Sequence, residues 1–415
     1  MPRSATENTM NNLDQKLQEA VKYAYENAPA VKTRFEKAGI TPDNIRGVAD
    51  LPKIPVLPKD EIVALQQANP PFGGMLGVPP EKVTHIFFSP GPIYEPAPEP
   101  DEGAWDTAVG ALKATGFKPG DVVLNSFTYH LVPAGFLFDN AFVRLGCTVV
   151  PGGTGSAELQ IKMMQDLRVT GYSGTPSFLM SLIKKIEGMG LDFQKDFQLK
   201  TAVFSAEPLP PSLRQAFVEE YGLAVGNAYA TADFGLLALN TGDGMAMPLL
   251  PEPIIEVVDS ETGQPVGPGE AGEVVATNFS RAYPLIRIGT GDMAMNMDPK
   301  PGESQQTERS IILVGRSGEA AKVRGMFVHP NQLRFATGQI PGVKKVQGVV
   351  SRPELKDHFV VRVEAEGVDE TAVTEQVKTA VQGLCRVRVD EVEFIPPGTL
   401  ADDAAGMVDV RDWQA

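Results

Sequence analysis

Five short segments of this 415-residue chain carry side chains that could do chemistry. Gly289, Thr290, Gly291 and Asp292 set a carboxylate after two glycines. The glycines let a backbone approach a ligand closely, and the carboxylate can accept more than one hydrogen bond. Tyr229, Ala230 and, four positions after the tyrosine, Asp233 place an aromatic ring near a hard oxygen ligand. Ser205, Ala206, Glu207 and Pro208 make a small-residue turn after an apolar run. Arg316 offers a planar fork matched to anionic oxygens, and Lys322, Arg324 and Gly325 form a basic turn. Each segment also has an ordinary structural alternative. Asp233 reads as a solvated turn carboxylate, Asp292 as a strand-ending turn, 205–208 as a strand-to-helix turn, and the cations as surface residues.

The elements that must position these residues show in the hydrophobic pattern. From residue 121, short β-branched runs (DVVLNSF, TVVPG, VTGYSG, TAVFSA, AVGNAYA) alternate with helical stretches at 134–145, 156–168, 176–187 and 211–221. That alternation predicts an α/β fold with a buried, largely parallel sheet and crossover helices, whose ligands bind at the carboxyl ends of the strands. Upstream, Leu13, Leu17, Val21 and Ala24 recur at helical spacing and predict one amphipathic helix over 12–38, closed by Gly39. IIEVVDS and EVVATNF, joined by a Gly/Pro turn, predict a β-hairpin. Beyond residue 317 the pattern becomes a small α+β unit of about 100 residues, with helices near 330–339 and 369–383. The tail ADDAAGMVDVRDWQA reads as weakly ordered.

Composition narrows the function classes. A formal net charge of −15 argues against a broad nucleic-acid surface, yet leaves room for a local polyanion pocket. No apolar run reaches the roughly 18 residues needed to span a bilayer, and the first dozen residues lack a secretory h-region. A cytoplasmic location is the expectation. Two distant cysteines, Cys147 and Cys385, read as reduced hydrophobic residues, and four scattered histidines show no metal-ligand spacing.

Taken in order, several segments resemble the phenylacetate–coenzyme A ligase branch of the adenylate-forming superfamily: ITPDNIRGVADLPKIPVLPKDEI, TYHLVPAGFLFDNAFVRLGCTVVPGGTG, SGTPS, SAEP, YATADFG, YPLIRIGTGD and GRSGEAAKVRGMFVHPNQLR. The resemblance spans about residues 35–400 and rests on the joint order of the motifs. It implies a large, multi-layer N-terminal AMP-binding domain over 1–314, a hinge at 315–317 and a small mobile domain over 318–415. In such proteins Tyr229 and Ala230 would lie beside the adenine, with Ser205, Ala206, Glu207 and Pro208 packed on it. Asp233 would hold Mg²⁺, Asp292 the ribose, and Arg316 the ribose or phosphates. Lys322, Arg324 and Gly325 would meet coenzyme A, Lys322 with a catalytic share. Tyr129, His130, Gly135 and Phe136 would line the acyl pocket. The implied ligands are ATP or AMP, Mg²⁺, coenzyme A and a carboxylic acid, aryl or small and apolar. A homodimer is compatible with the resemblance.

Two departures stand out. The family's phosphate loop is rich in Ser, Thr and Gly and contains a lysine, whereas FFSPGPIYEPAP replaces N–H donors by Pro90, Pro92 and Pro96. Glu95 stands about where the lysine is expected, poised to repel a polyphosphate, and only Ser89 and Gly91 keep the older character. After PGTL the adenylating lysine is missing, its place falling on Gly406 or Met407. The expected activity is an ATP-dependent acid–coenzyme A ligase. A binder of AMP, acyl-adenylate or acyl-coenzyme A that no longer adenylates is the alternative.

Overall fold

The protein is described by a computed structural model covering residues 5–89, 92–97, 102–316, 321–324, 326–328, 330–353, 356–385, 387–401 and 404–411. Residues 90–92 aside, one compact unit runs to Gly315 and a second begins at Arg316.

The first unit is built on a six-stranded sheet in the order Thr148–Val150, Val122–Asn125, Gly171–Gly174, Thr201–Phe204, Ala224–Thr231, Gly235–Asn240. The first five strands run parallel and the last is antiparallel. Strand side chains alternate between faces, so each β-branched run feeds two cores. Leu124, Tyr172, Ala202 and Phe204 pack with Ile161, Leu179, Ile183 and Phe217 on one side. Val123, Val203 and Ala228 meet Trp105, Leu112, Phe138 and Phe142 on the other. Helices Ala134–Leu145, Ala157–Asp166 and Pro176–Gly188 lie close to their expected ranges. The stretch expected at 211–221 is a short helix, Pro211–Gln215, that widens into a π-helical turn over Ala216–Glu220.

A second sheet places Ile254–Val258, Ala271–Thr277, Ile288–Asn296 and Ser310–Arg316 side by side, the first two as the expected antiparallel hairpin. The N-terminal segment packs on it through Leu17, Val21, Val31 and Phe35 against Ile254, Phe279 and Ile286. It is two helices rather than one, Ala5–Asn27 and Pro29–Lys37. Pro29 lacks an N–H and fits only a first turn, so the chain restarts its helix there. Arg287 is buried beneath this region and is forked onto Glu256 at 2.9 and 3.0 Å.

In the second unit the sheet order is Glu391–Ile395, His358–Ala365, Val343–Ser351, Met407–Asp409, covered by Pro330–Thr337 and Glu370–Cys385. The expected loose tail is thus corrected. Residues 407–409 pair in parallel with Gly348, Val349 and Val350, and Met407 is buried. Both cysteines are free and buried, and burial pushes the Cys147 thiol up to about 11. No helix among the described residues is long and apolar enough to cross a membrane.

Candidate active site

The carboxyl ends of the parallel strands deliver Asn125, Gly174, Phe204 and Thr231 to one edge of the sheet, and the polar turns follow them. Tyr229 and Asp292, 63 residues apart, come together there: the phenol donates to Asp292 Oδ2 at 2.8 Å, and both side chains are largely buried. Thr290 Oγ1 accepts the Asp292 backbone N–H at 3.1 Å. The two glycines of this turn have different reasons. Gly291 has φ +75, which favours glycine, whereas a Cβ on Gly289 would stand 2.5 Å from Glu273 Oε1. Tyr229, expected beside the adenine, is held on the Asp292 carboxylate.

The 205–208 turn carries strain. Ala206 has φ +78, a region non-glycine residues occupy at a cost of about 1–3 kcal/mol, and such residues gather at functional loops. Ser205 is buried, Ala206 and Glu207 are half-buried and Pro208 is exposed. Glu207 accepts the N–H of Ser177 at 2.7 Å, tying this turn back to the start of the helix Pro176–Gly188.

The residues expected to line an acyl pocket divide. Tyr129 accepts from Asn125 Nδ2 at 2.8 Å and donates to Asp139 at 2.7 Å. Burial and Asp139 hold its phenol well above the usual range. Gly135 lies under it, since a Cβ there would be 2.7 Å from Thr128 O and 2.8 Å from Tyr129 Cγ. Phe136 packs its ring 5.4 Å from Tyr129 and 5.6 Å from both His85 and Phe87. Phe138, two residues on, stacks on Phe127 in the core. His130 is exposed, and the histidine of the aromatic group is His85. Sequence reasoning missed His85 and Phe87, whose only signal was their alternation on one strand.

The FFSPGPIYEPAP segment forms a hairpin, His85–Ser89 with Ile93–Ala97. Pro90 and Gly91 lie outside the described residues. Glu95 does not face outward as a repulsive charge. It is buried, takes a short hydrogen bond from the hydroxyl of Ser89 and lies beside Asp233. Ser89 is fully buried, so its hydroxyl is spent on Glu95. Burial first, and Asp233 second, push the Glu95 carboxyl up to about 8, with Lys59 opposing and Tyr283 close by.

Asp233 itself is held by a residue the sequence reading passed over. Lys59 Nζ donates to Asp233 Oδ1 at 2.6 Å, and the Asp233 side chain is only 4% exposed. As a magnesium site this does not fit. The ion wants several hard oxygens, and here one carboxylate is closed by an ammonium while its acidic neighbour favours the neutral form. No cluster of three or more His, Cys, Asp or Glu that could hold a metal occurs among the described residues.

A pH prediction follows from Glu95. Its folded pKa lies above its ordinary 4.5, so between about pH 4.5 and 8 the native state keeps a proton that the unfolded chain has released. Stability from this group is therefore full at low pH and falls as pH rises through that window. Glu95→Gln should flatten the decline and raise Tm at pH 8 by about 2–4 °C. Melting curves at pH 5.5 and 8 check it. A variant whose Tm falls with pH as steeply as the parent's would mean that Glu95 titrates in its ordinary range.

In the second unit, Arg316 ends the Ser310–Arg316 strand and Lys322 lies in Ala321–Val323, while Gly325 is outside the described residues. Arg324 is engaged within its own unit. It donates to Arg388 O at 2.8 Å, to Asp357 O at 3.0 Å and to Asp390, and its backbone N–H bonds Asp357. With φ +49 it shapes the turn.

Residues 105–280 match the family profile of AMP-binding enzymes. The chain is 28% identical over 369 residues to a phenylacetate–coenzyme A ligase of Aromatoleum evansii, covering 85% of this chain and 78% of the relative. To the phenylacetate–coenzyme A ligase of Thermus thermophilus it is 29% identical over 368 residues, 85% and 80% of the two chains. A 2-hydroxyisobutyryl-CoA ligase solved with 2-HIB-AMP and CoA superimposes with a TM-score of 0.88 at 23% identity, over 99% of this chain and 91% of that one. An amide bond synthetase from Marinactinospora thermotolerans shares the fold at a TM-score of 0.60 and 17% identity, over 79% and 68%.

Proposed function

We infer that this chain, which belongs to the phenylacetate–coenzyme A ligase family of adenylate-forming enzymes, is an ATP-dependent carboxylic acid–coenzyme A ligase. The acid's carboxylate attacks the α-phosphorus of ATP and pyrophosphate leaves, giving an acyl-adenylate. The thiol of coenzyme A, losing its proton, then attacks the acyl carbon and AMP leaves. The carboxylate is already a nucleophile, so the protein's share is mostly positioning and charge stabilisation.

The observation that carries the reading is the buried Tyr229–Asp292 pair on the glycine-flanked turn. A carboxylate fixed there by a phenol suits a ribose diol, with the strained 205–208 turn beside the base. Tyr129, Gly135 and Phe136, joined by His85 and Phe87, suit an aryl or small apolar acid. We assign coenzyme A to Lys322, and to Arg324 the holding of the turn that presents it, because its donors are already engaged. Magnesium arrives with ATP on its phosphates. A cytoplasmic location, where ATP and coenzyme A are both at hand, is part of the same proposal.

Incubating the protein with ATP, coenzyme A and a panel of aryl and short-chain acids should release AMP and thioester in equal amounts. Thioester from none of the acids would refute the ligase. Asp292→Ala should weaken AMP by about 1.5–3 kcal/mol, the scale of hydrogen bonds to a charged group, or roughly 10- to 150-fold by calorimetry. Tyr229→Phe should cost less, since the carboxylate remains. If folded Asp292→Ala keeps full AMP affinity, Asp292 is only a turn residue.

A further inference from the structure

We propose that the ammonium of Lys59 is the resident cation of this site, occupying the Asp233 carboxylate so that the chain itself offers no divalent metal a place there. The inference deepens the nucleotide reading above and rests on it for its biological meaning, though not for its test.

Three observations carry it. First, the Lys59–Asp233 contact at 2.6 Å is nearly dry on the carboxylate side: Asp233 is 4% exposed and Lys59 24%. Inside a low-dielectric site such a pair is hard to open, because parting it strands a buried charge. Second, Lys59 is the first residue of the helix Lys59–Ala68, where the dipole disfavours a cation. A lysine placed there against the local field is held by its partner, not by helix propensity. Third, the helix is itself anchored to the neighbouring hairpin. Gln66 donates to Tyr94 O at 2.7 Å and accepts the Tyr94 N–H at 2.9 Å. Helix and hairpin are thus tied together next to Asp233, with Glu95 of the hairpin beside that carboxylate and hydrogen-bonded by Ser89.

A metal ligand needs a carboxylate that can be handed to the ion. Asp233 is handed to Lys59 instead, and its acidic neighbour Glu95 is hydrogen-bonded to a serine.

The test is Mn²⁺ titration of the full-length protein followed by electron paramagnetic resonance. Wild type and Asp233→Asn should give superimposable titrations. Lys59→Met should gain one Mn²⁺ site, and the double variant Lys59→Met with Asp233→Asn should lose it again. A wild-type Mn²⁺ site abolished by Asp233→Asn overturns the proposal, and so does a folded Lys59→Met protein that binds no additional Mn²⁺. Should Lys59→Met fail to fold, AMP calorimetry on the wild type decides. Affinity in EDTA within about threefold of that in Mg²⁺ supports a resident cation, and a loss of tenfold or more overturns it. Absence of AMP binding under either condition would count against the nucleotide reading, while the Mn²⁺ comparison of wild type with Asp233→Asn would still judge Lys59.

Discussion

Given a preformed acyl-adenylate and coenzyme A, the protein is expected to form thioester at least ~100-fold faster than from ATP, free acid and coenzyme A. A preorganised charge aimed at developing negative charge is worth roughly two to three orders of magnitude in rate. The adenylation half-reaction lacks such charges in two places. On the hairpin, Ser89 and Glu95 are turned into each other, and Pro92 and Pro96 donate no N–H. In the C-terminal unit the only cation after Leu400 is Arg411, whose side chain is 4% exposed and bound to Asp357 and Asp409. Burial opposes its charge, but Asp409 and Asp357 together hold its pKa above the usual arginine value, so it is committed within its own unit. Lys59 is spent on Asp233. None of these features touches attack of a thiol on an acyl carbon. Single-turnover assays from each starting point, corrected for uncatalysed thiolysis, make the comparison. Equal rates would sink the argument and require a cation that reaches the triphosphate by another route. Thioester from neither start, with AMP still bound, would make the chain a binder that has lost both steps.

Much of the architecture was legible because it depends on local period. The strand runs carry β-branched residues on both faces, as a sheet covered twice must, and the helix Ala134–Leu145 lies where its apolar spacing placed it. Asp292 and Tyr229 were both found, but their mutual hydrogen bond was not, since nothing local joins residues 63 positions apart. Lys59 was missed for the same reason: it meets Asp233 across 174 residues, and its own segment reads as a proline-rich connector. Glu95 was seen and given the wrong sense. A lone carboxylate in a loop suggests an exposed charge, whereas strand pairing turns alternate side chains inward and carries Glu95 with them. The helix break at Pro29 was a local signal misread, an imino acid sitting inside an otherwise convincing apolar stripe.

Met407→Lys, the direct way to restore the missing lysine in one of the two registers, is expected to unfold the C-terminal unit instead of repairing it. Met407 is 4% exposed and lies in a core with Leu333, Val350, Val361 and Val381. Its sulfur is packed over Gly348, where a Cβ would stand only 2.3 Å from it. An ammonium there would have neither water nor a partner carboxylate in that apolar cluster, a burial that costs at least ~3 kcal/mol. Gly406→Lys is the better carrier of the charge. Gly406 sits in the bend just before the strand Met407–Asp409 and is half-buried where Met407 is buried, its carbonyl accepting the Gly348 N–H at 2.9 Å. The substitution alters a side chain and leaves that backbone bond in place. Thermal and denaturant unfolding of the two variants should separate them, with Gly406→Lys near wild type and Met407→Lys losing its C-terminal transition. Only Gly406→Lys should then raise ATP–pyrophosphate exchange, by about tenfold, below the full range for such charges because Ser89 and Glu95 still close the hairpin. A Met407→Lys protein as stable as its parent would show that position 407 can turn outward, and the inward register of this strand would have to be given up.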